Sequence, residues 1–185
     1  MHRTLKNVIG FQAGWFACVL GAAHAMPWLG PLLALAIISL HLRQADIRQK
    51  ELILIAIIGI CGSVFDQFLL SLGWIQYPAH SWPVWLLPFW MSCLWMLFAT
   101  TLNISLRWMR ERHLLAMIFG LLGGPLAYLA GQKLGAMQLV SQTNMLIVLA
   151  VFWGLMMPAM LWLATLLDGF ARKTMNQETT GAQHV

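Results

Sequence analysis

Six apolar runs divide the chain, covering residues 5–25, 27–42, 52–72, 84–106, 114–132 and 144–167. Polar, basic or aromatic segments of only a few residues separate most of them. An apolar helix of about 20 residues crosses a bilayer core. The pattern therefore predicts an all-α, polytopic membrane helix bundle of six transmembrane helices, forming a single domain over residues 1–170. A polar tail occupies residues 171–185. The third run, between Glu51 and Trp74, holds the feature around which the reading turns. Asp66 is the only acid well inside an apolar run. At 1.5 Å rise per residue it sits ~21 Å from Leu52 and ~9 Å from Leu72. An ionisable group at that depth needs a partner, a proton or a watery cavity.

The flanking charges orient the runs. With the N-terminus inside, the inner loops and ends hold Arg3, Lys6, Arg43, Arg48, Lys50, Arg107, Arg110, Arg112, Arg172 and Lys173. The outer side holds only Lys133. Such asymmetry predicts an N-in/C-in topology under the positive-inside rule, in a bacterial cytoplasmic (inner) membrane. Composition agrees, since 60% of the 185 residues are hydrophobic and 9% charged, against roughly a quarter charged in soluble domains. The net charge of +5 then reads as topology rather than as a nucleic-acid footprint. Cys18, Cys61 and Cys93 lie in different runs without metal-type spacing, and small buried thiols are the expectation.

The first run imitates a secretory signal, with a basic start and an Ala23-His24-Ala25 end. Its length and its spacing of small residues favour a retained span instead. Gly10 and Gly14 form a GxxxG, and Ala13, Ala17, Gly21 and Ala25 recur every fourth position, which lets helices approach closely. The fifth run repeats the spacing. Gly120, Gly124, Ala127 and Gly131 align with Gly10, Gly14, Ala17 and Gly21. These glycines, with Gly62 of the third run, are expected to form packing faces, the first and fifth helices lying beside the third. Pro125 removes a backbone donor from the fifth run, so a kink or local opening is expected near Gly123–Pro125.

These segments resemble a family of bacterial inner-membrane proteins catalogued as domain of unknown function 2878. The resemblance rests on QAGWFACVLGAA at 12–23, PWLG at 27–30 and the Asp66 region through Gly73 and Tyr77. It continues with FATTLNISLRW at 98–108 and GGPLAYLAGQKLGA at 123–136. It implies a small multi-span protein and carries no activity with it.

Candidate chemistry falls into two clusters. Near the outer side the spacing gathers Asp66, Gln67, Lys133, His24, Tyr77 and His80, as ligand-binding or proton-exchange candidates. Asp66 shares a helix face with Gly59, Gly62, Ser63 and Gly73, so it is expected to point into the bundle. An ion pair with Lys133 would offset much of the cost of burial. Near the inner side lie Asn103, Arg107, His41 and Glu51, with Asn103 and Arg107 four apart on one helix face. There the expectation is helix-end solvation and contact with anionic lipid phosphates. No metal site and no cofactor is expected. Walker, HExxH and GxSxG motifs are absent, and so is a basic groove for nucleic acid. The leading expectation is a protein that binds or translocates a lipid or lipophilic small molecule through an outward-facing polar pocket around Asp66. An intramembrane lipid-modifying enzyme and a non-catalytic subunit of a membrane complex are the alternatives. The partners expected are membrane lipids, and a membrane protein or a second copy.

Overall fold

The computed structural model describes residues 2–78 and 83–171. The described chain forms six α-helices, His2–Ala23 (α1), Leu29–Gln44 (α2), Arg48–Ser71 (α3), Phe89–Leu102 (α4), His113–Lys133 (α5) and Gln142–Leu166 (α6). Three of them, α3, α5 and α6, are long and apolar enough to cross a membrane. The helices α2 and α4 are apolar but shorter. The fourth run is shorter as a helix than its apolar extent predicts. Pro88 fixes its start, and the polar TTLNIS run unwinds after Leu102 into turns and a 3-10 helix at Arg107–Met109.

Two helix ends are built alike. After α3, Gly73 takes a left-handed φ of 70°, Gly73 N donates to Leu70 O, and Trp74 N donates to Leu69 O. After α5, Gly135 takes a φ of 85°, Gly135 N donates to Gln132 O, and Ala136 N donates to Gly131 O. Both are Schellman ends, in which a residue without Cβ turns the chain and satisfies the last carbonyls. Each leads into a two-residue strand, Ile75–Gln76 (β1) and Gln138–Leu139 (β2), which pair antiparallel. This small ribbon ties the α3 end to the α5 end.

Packing follows the small residues. The helix α1 packs on α2 and α4, α3 on α4, and α5 on α6. A Cβ at Gly14 would lie 2.7 Å from the Leu97 side chain, and one at Gly30 would lie 2.4 Å from the Cys18 backbone. On α5, a Cβ at Gly120 would lie 2.1 Å from the Trp153 carbonyl oxygen, and one at Gly124 2.2 Å from the Trp153 ring. Gly10 is looser, its nearest neighbour being Ile37 at 3.6 Å. Gly21 faces the Met26 carbonyl and Gly131 the Met137 side chain. The first and fifth helices are thus not close-packed neighbours beside α3. Each glycine face is filled by its own hairpin partner or by α4, and α1 and α5 instead face a common cavity. The helix α5 runs through Pro125 as one element.

Candidate functional site

One end of the bundle gathers the α1 start, the α2–α3 and α4–α5 turns and the α6 end. There Arg3 donates to Gln44 O, and His41, Glu51, Asn103 and Asp168 are all buried. Glu51 is 0% exposed. Its Oε2 accepts from His41 Nε2 at 2.7 Å, and its Oε1 accepts from Asn103 Nδ2 at 2.5 Å and from Gly169 N at 2.8 Å. Arg110 donates to Asn103 Oδ1 and pairs with Asp168 at 2.9 Å, and Arg107 pairs with Asp168 at 2.7 Å. Two acids and two arginines balance within this network, which suits charges removed from water. The expectation of solvated helix ends is corrected here, because the side chains face one another rather than solvent. Asn103 and Arg107 also do not share a helix face. The helix ends at Leu102, and the turn that follows brings Arg110 to Asn103 in place of Arg107. Asp168, Arg110 and Gly169 complete this network although little in the sequence marks them as site residues. Asp168 is the only acid just beyond the sixth run, and that position was the available signal.

Toward the other end, Asp66 is also 0% exposed. Gly62, one turn earlier on α3, has no side chain, and the Trp95 indole from α4 occupies that space. Trp95 Nε1 thereby donates to Asp66 Oδ2 at 2.6 Å. From α5, Tyr128 Oη donates to Asp66 Oδ1 at 2.5 Å. Trp95 stacks on Trp153 of α6, with ring centroids 4.6 Å apart and planes 10° apart. Asp66 therefore joins four helices through two neutral donors and a stacked indole pair. Tyr77, after β1, sets its ring edge-on to Trp90, and its hydroxyl is buried without a hydrogen-bond partner among the described residues. Burial first, and then the negative charge of Asp66, push the Tyr77 phenol well above its ordinary range.

The other outer candidates separate. Lys133 is exposed at the end of α5, and the expected Asp66–Lys133 pair is replaced by the Trp95 and Tyr128 hydrogen bonds. Gln67, next to Asp66, turns the other way. Its Nε2 donates to Trp85 O at 3.0 Å and its Oε1 accepts from Leu87 N at 2.8 Å, which pins the segment entering α4. His24 is exposed and donates from Nδ1 to Leu20 O at 2.9 Å, capping its own helix. His80 lies outside the described residues.

A cavity of about 380 Å³ opens between α1, α4, α5 and α6. Phe11, Trp15, Phe98, Phe119, Gly123 and Ala127 line it, together with Gln12, Trp95, Tyr128 and Trp153. The pocket is apolar, and Asp66 stands behind its wall rather than in it. This corrects the expectation of a polar pocket around the acid. Carboxylate burial forced two aromatic donors onto Asp66, and those aromatics form the wall. The sequence marks Trp153 by nothing beyond its place in an apolar run, and Tyr128 only as the one tyrosine inside such a run.

Three helices long and apolar enough to cross a membrane, many large apolar side chains left exposed, and buried polar knots are consistent with a membrane-type helical protein. The chain belongs to the family described as protein of unknown function (DUF2878), which matches residues 4–159. Compared with curated proteins and with solved structures, the chain finds no match.

Proposed function

We propose that the protein crosses a bacterial inner membrane six times, with both ends in the cytoplasm, and binds or translocates a lipophilic molecule through the α1–α4–α5–α6 cavity. The observation that carries this reading is the cavity itself. It runs from the middle of α1, α5 and α6 toward Met137, it is lined almost wholly by apolar side chains, and Gly120, Gly123 and Gly124 of α5 face it beside Phe119, Leu126 and Tyr128. Its volume falls near the lower end of the ~300–1,000 Å³ typical of small-molecule sites. The topology is supported by the clustering of Arg3, Arg107, Arg110 and the α2–α3 basic turn at one end, with Lys133 at the other. The subunit alternative has less support, since Gly14, Gly120 and Gly124 are already covered from within the chain.

Native mass spectrometry of the protein released from nanodiscs tests the binding. The wild type is expected to retain a small lipophile. Gly123 has open space around it, its nearest neighbour being Phe119 at 3.9 Å, so Gly123→Trp fills the cavity without disturbing the packing. Equal retention by the wild type and this variant would sink the proposal. Labelling single cysteines placed beside Lys133 and Arg112 with an impermeant maleimide tests the topology, and only the first should react from outside.

A further inference from the structure

Two polar groups of the cavity lining have unused hydrogen-bonding capacity among the described residues: the Trp153 indole N–H, which is itself buried, and the Gln12 amide, which offers both donors and an acceptor. Gln12 lines the cavity from α1, is exposed there, and has no hydrogen-bond partner among the described residues. Its amide offers two donors and an acceptor. Gln12 stands ten residues from His2 and eleven from Ala23, at the middle of α1. That is ~15 Å from either end of the helix. Within the six-pass reading, on which this inference rests, Gln12 lies near the bilayer midplane. An amide left unpaired there is costly, because the hydrocarbon supplies neither donors nor acceptors.

The surroundings narrow what could satisfy it. A core about 30 Å thick keeps phospholipid head groups some 15 Å from the midplane, so an ordinary phospholipid offers Gln12 only methylenes. The occupant must carry its own polar group into the membrane interior. Among the described residues no Lys, Arg or His lines the cavity, so an anionic group would enter without a counter-charge from them, and Asp66 stands behind the Tyr128 and Trp95 wall. An uncompensated charge at that depth is disfavoured. Phe11, Trp15, Trp95, Phe98, Phe119 and Trp153 supply ring faces and edges, which favour a flat ring over a saturated chain alone.

We infer that the cavity takes a neutral, ring-bearing lipophile whose carbonyl or hydroxyl oxygen reaches mid-membrane depth and hydrogen-bonds to Gln12. Gln12 selects for the polar group, the aromatic wall for the ring, and the missing cation against acids.

Three probes of matched size test this with the full chain in nanodiscs: decyl phenyl ketone, decylbenzene and 4-decylbenzoate. Retention is measured by mass spectrometry against empty discs. The ketone is expected to bind about two- to tenfold more tightly than decylbenzene, the worth of one hydrogen bond, with the benzoate weakest. Gln12→Leu and Gln12→Met, both at an exposed position, should erase the preference for the ketone while leaving decylbenzene binding in place. Equal binding of ketone and decylbenzene to the wild type overturns this inference, as does benzoate binding as tight as the ketone, or a preference that survives both Gln12 variants. If no probe is retained, or Gly123→Trp retains all three, the cavity reading itself fails.

Discussion

Gly62 and Trp95 fit together as an absence and a ring. A Cβ on Gly62 would lie 1.9 Å from the Trp95 indole, so the missing side chain is what lets Trp95 reach Asp66 one turn further along α3. Gly62→Ala must push the indole away, and with it the 2.6 Å hydrogen bond and the stack on Trp153. Overpacking of this kind costs about 1–3 kcal/mol. Thermal unfolding in detergent should show Gly62→Ala well below the wild type. An unchanged midpoint would mean that the indole has freedom the structure does not show.

Among the described residues Asp66 is held by two neutral donors and by no cation, and this predicts how its variants rank. Asp66→Ala leaves the Trp95 N–H and the Tyr128 O–H buried without an acceptor, at a cost of about 2–4 kcal/mol. Asp66→Asn keeps an oxygen for Trp95, while its amide can donate to the Tyr128 oxygen, so only about 1 kcal/mol is lost. The order wild type, Asp66→Asn, Asp66→Ala should appear both in unfolding midpoints and in the amount of protein in the membrane. Lys133→Ala should match the wild type, since Lys133 is exposed and apart from this cluster. A Lys133→Ala loss as large as that of Asp66→Ala would restore the ion pair that the geometry replaces.

What could be read beforehand divides along a physical line. Helix positions follow from apolar run length, a local property, so α3, α5 and α6 begin and end within a few residues of their runs. Burial of Asp66 was legible too, because a face of Gly59, Gly62 and Ser63 marks the side that neighbours approach. The identity of its partners was not. Trp95 and Tyr128 reach it through helix rotation and hairpin pairing, which charge complementarity alone cannot supply. Lys133 looked the better partner on charge, but the end of α5 holds it in an exposed position. The inner network was half legible. His41, Glu51 and Asn103 stood out as polar residues at run ends, whereas Arg110 depends on where α4 unwinds.

In that inner network the two arginines bound to Asp168 should differ sharply. The Arg107 side chain is 31% exposed and that of Arg110 is 11% exposed. A pair open to solvent contributes at most about 1 kcal/mol, so Arg107→Ala should be nearly silent. Arg110 also satisfies Asn103 Oδ1 and Ala164 O. Its loss leaves buried polar groups unpaired, and Arg110→Ala should cost about 3 kcal/mol. Unfolding midpoints of the two variants check this, and a double-mutant cycle with Asp168→Ala should show strong coupling only for Arg110.

Three glycines of α5, at 120, 123 and 124, share one short stretch but not one role. A Cβ at Gly120 would meet the Trp153 carbonyl oxygen at 2.1 Å, a backbone atom that cannot swing aside. Gly120→Ala should therefore force α5 from α6 and cost about 1–3 kcal/mol. Gly123 opens toward the cavity, and its nearest neighbour is Phe119 at 3.9 Å. There an alanine meets no obstacle and restricts the unfolded chain, so Gly123→Ala should be neutral or stabilising by up to about 1 kcal/mol. Opposite signs at positions three residues apart are hard to obtain from helix propensity, which acts alike on both. Parallel unfolding curves of the two variants decide it: if both fall together, the glycines serve the helix itself, and the assignment of Trp153 to the Gly120 face is wrong.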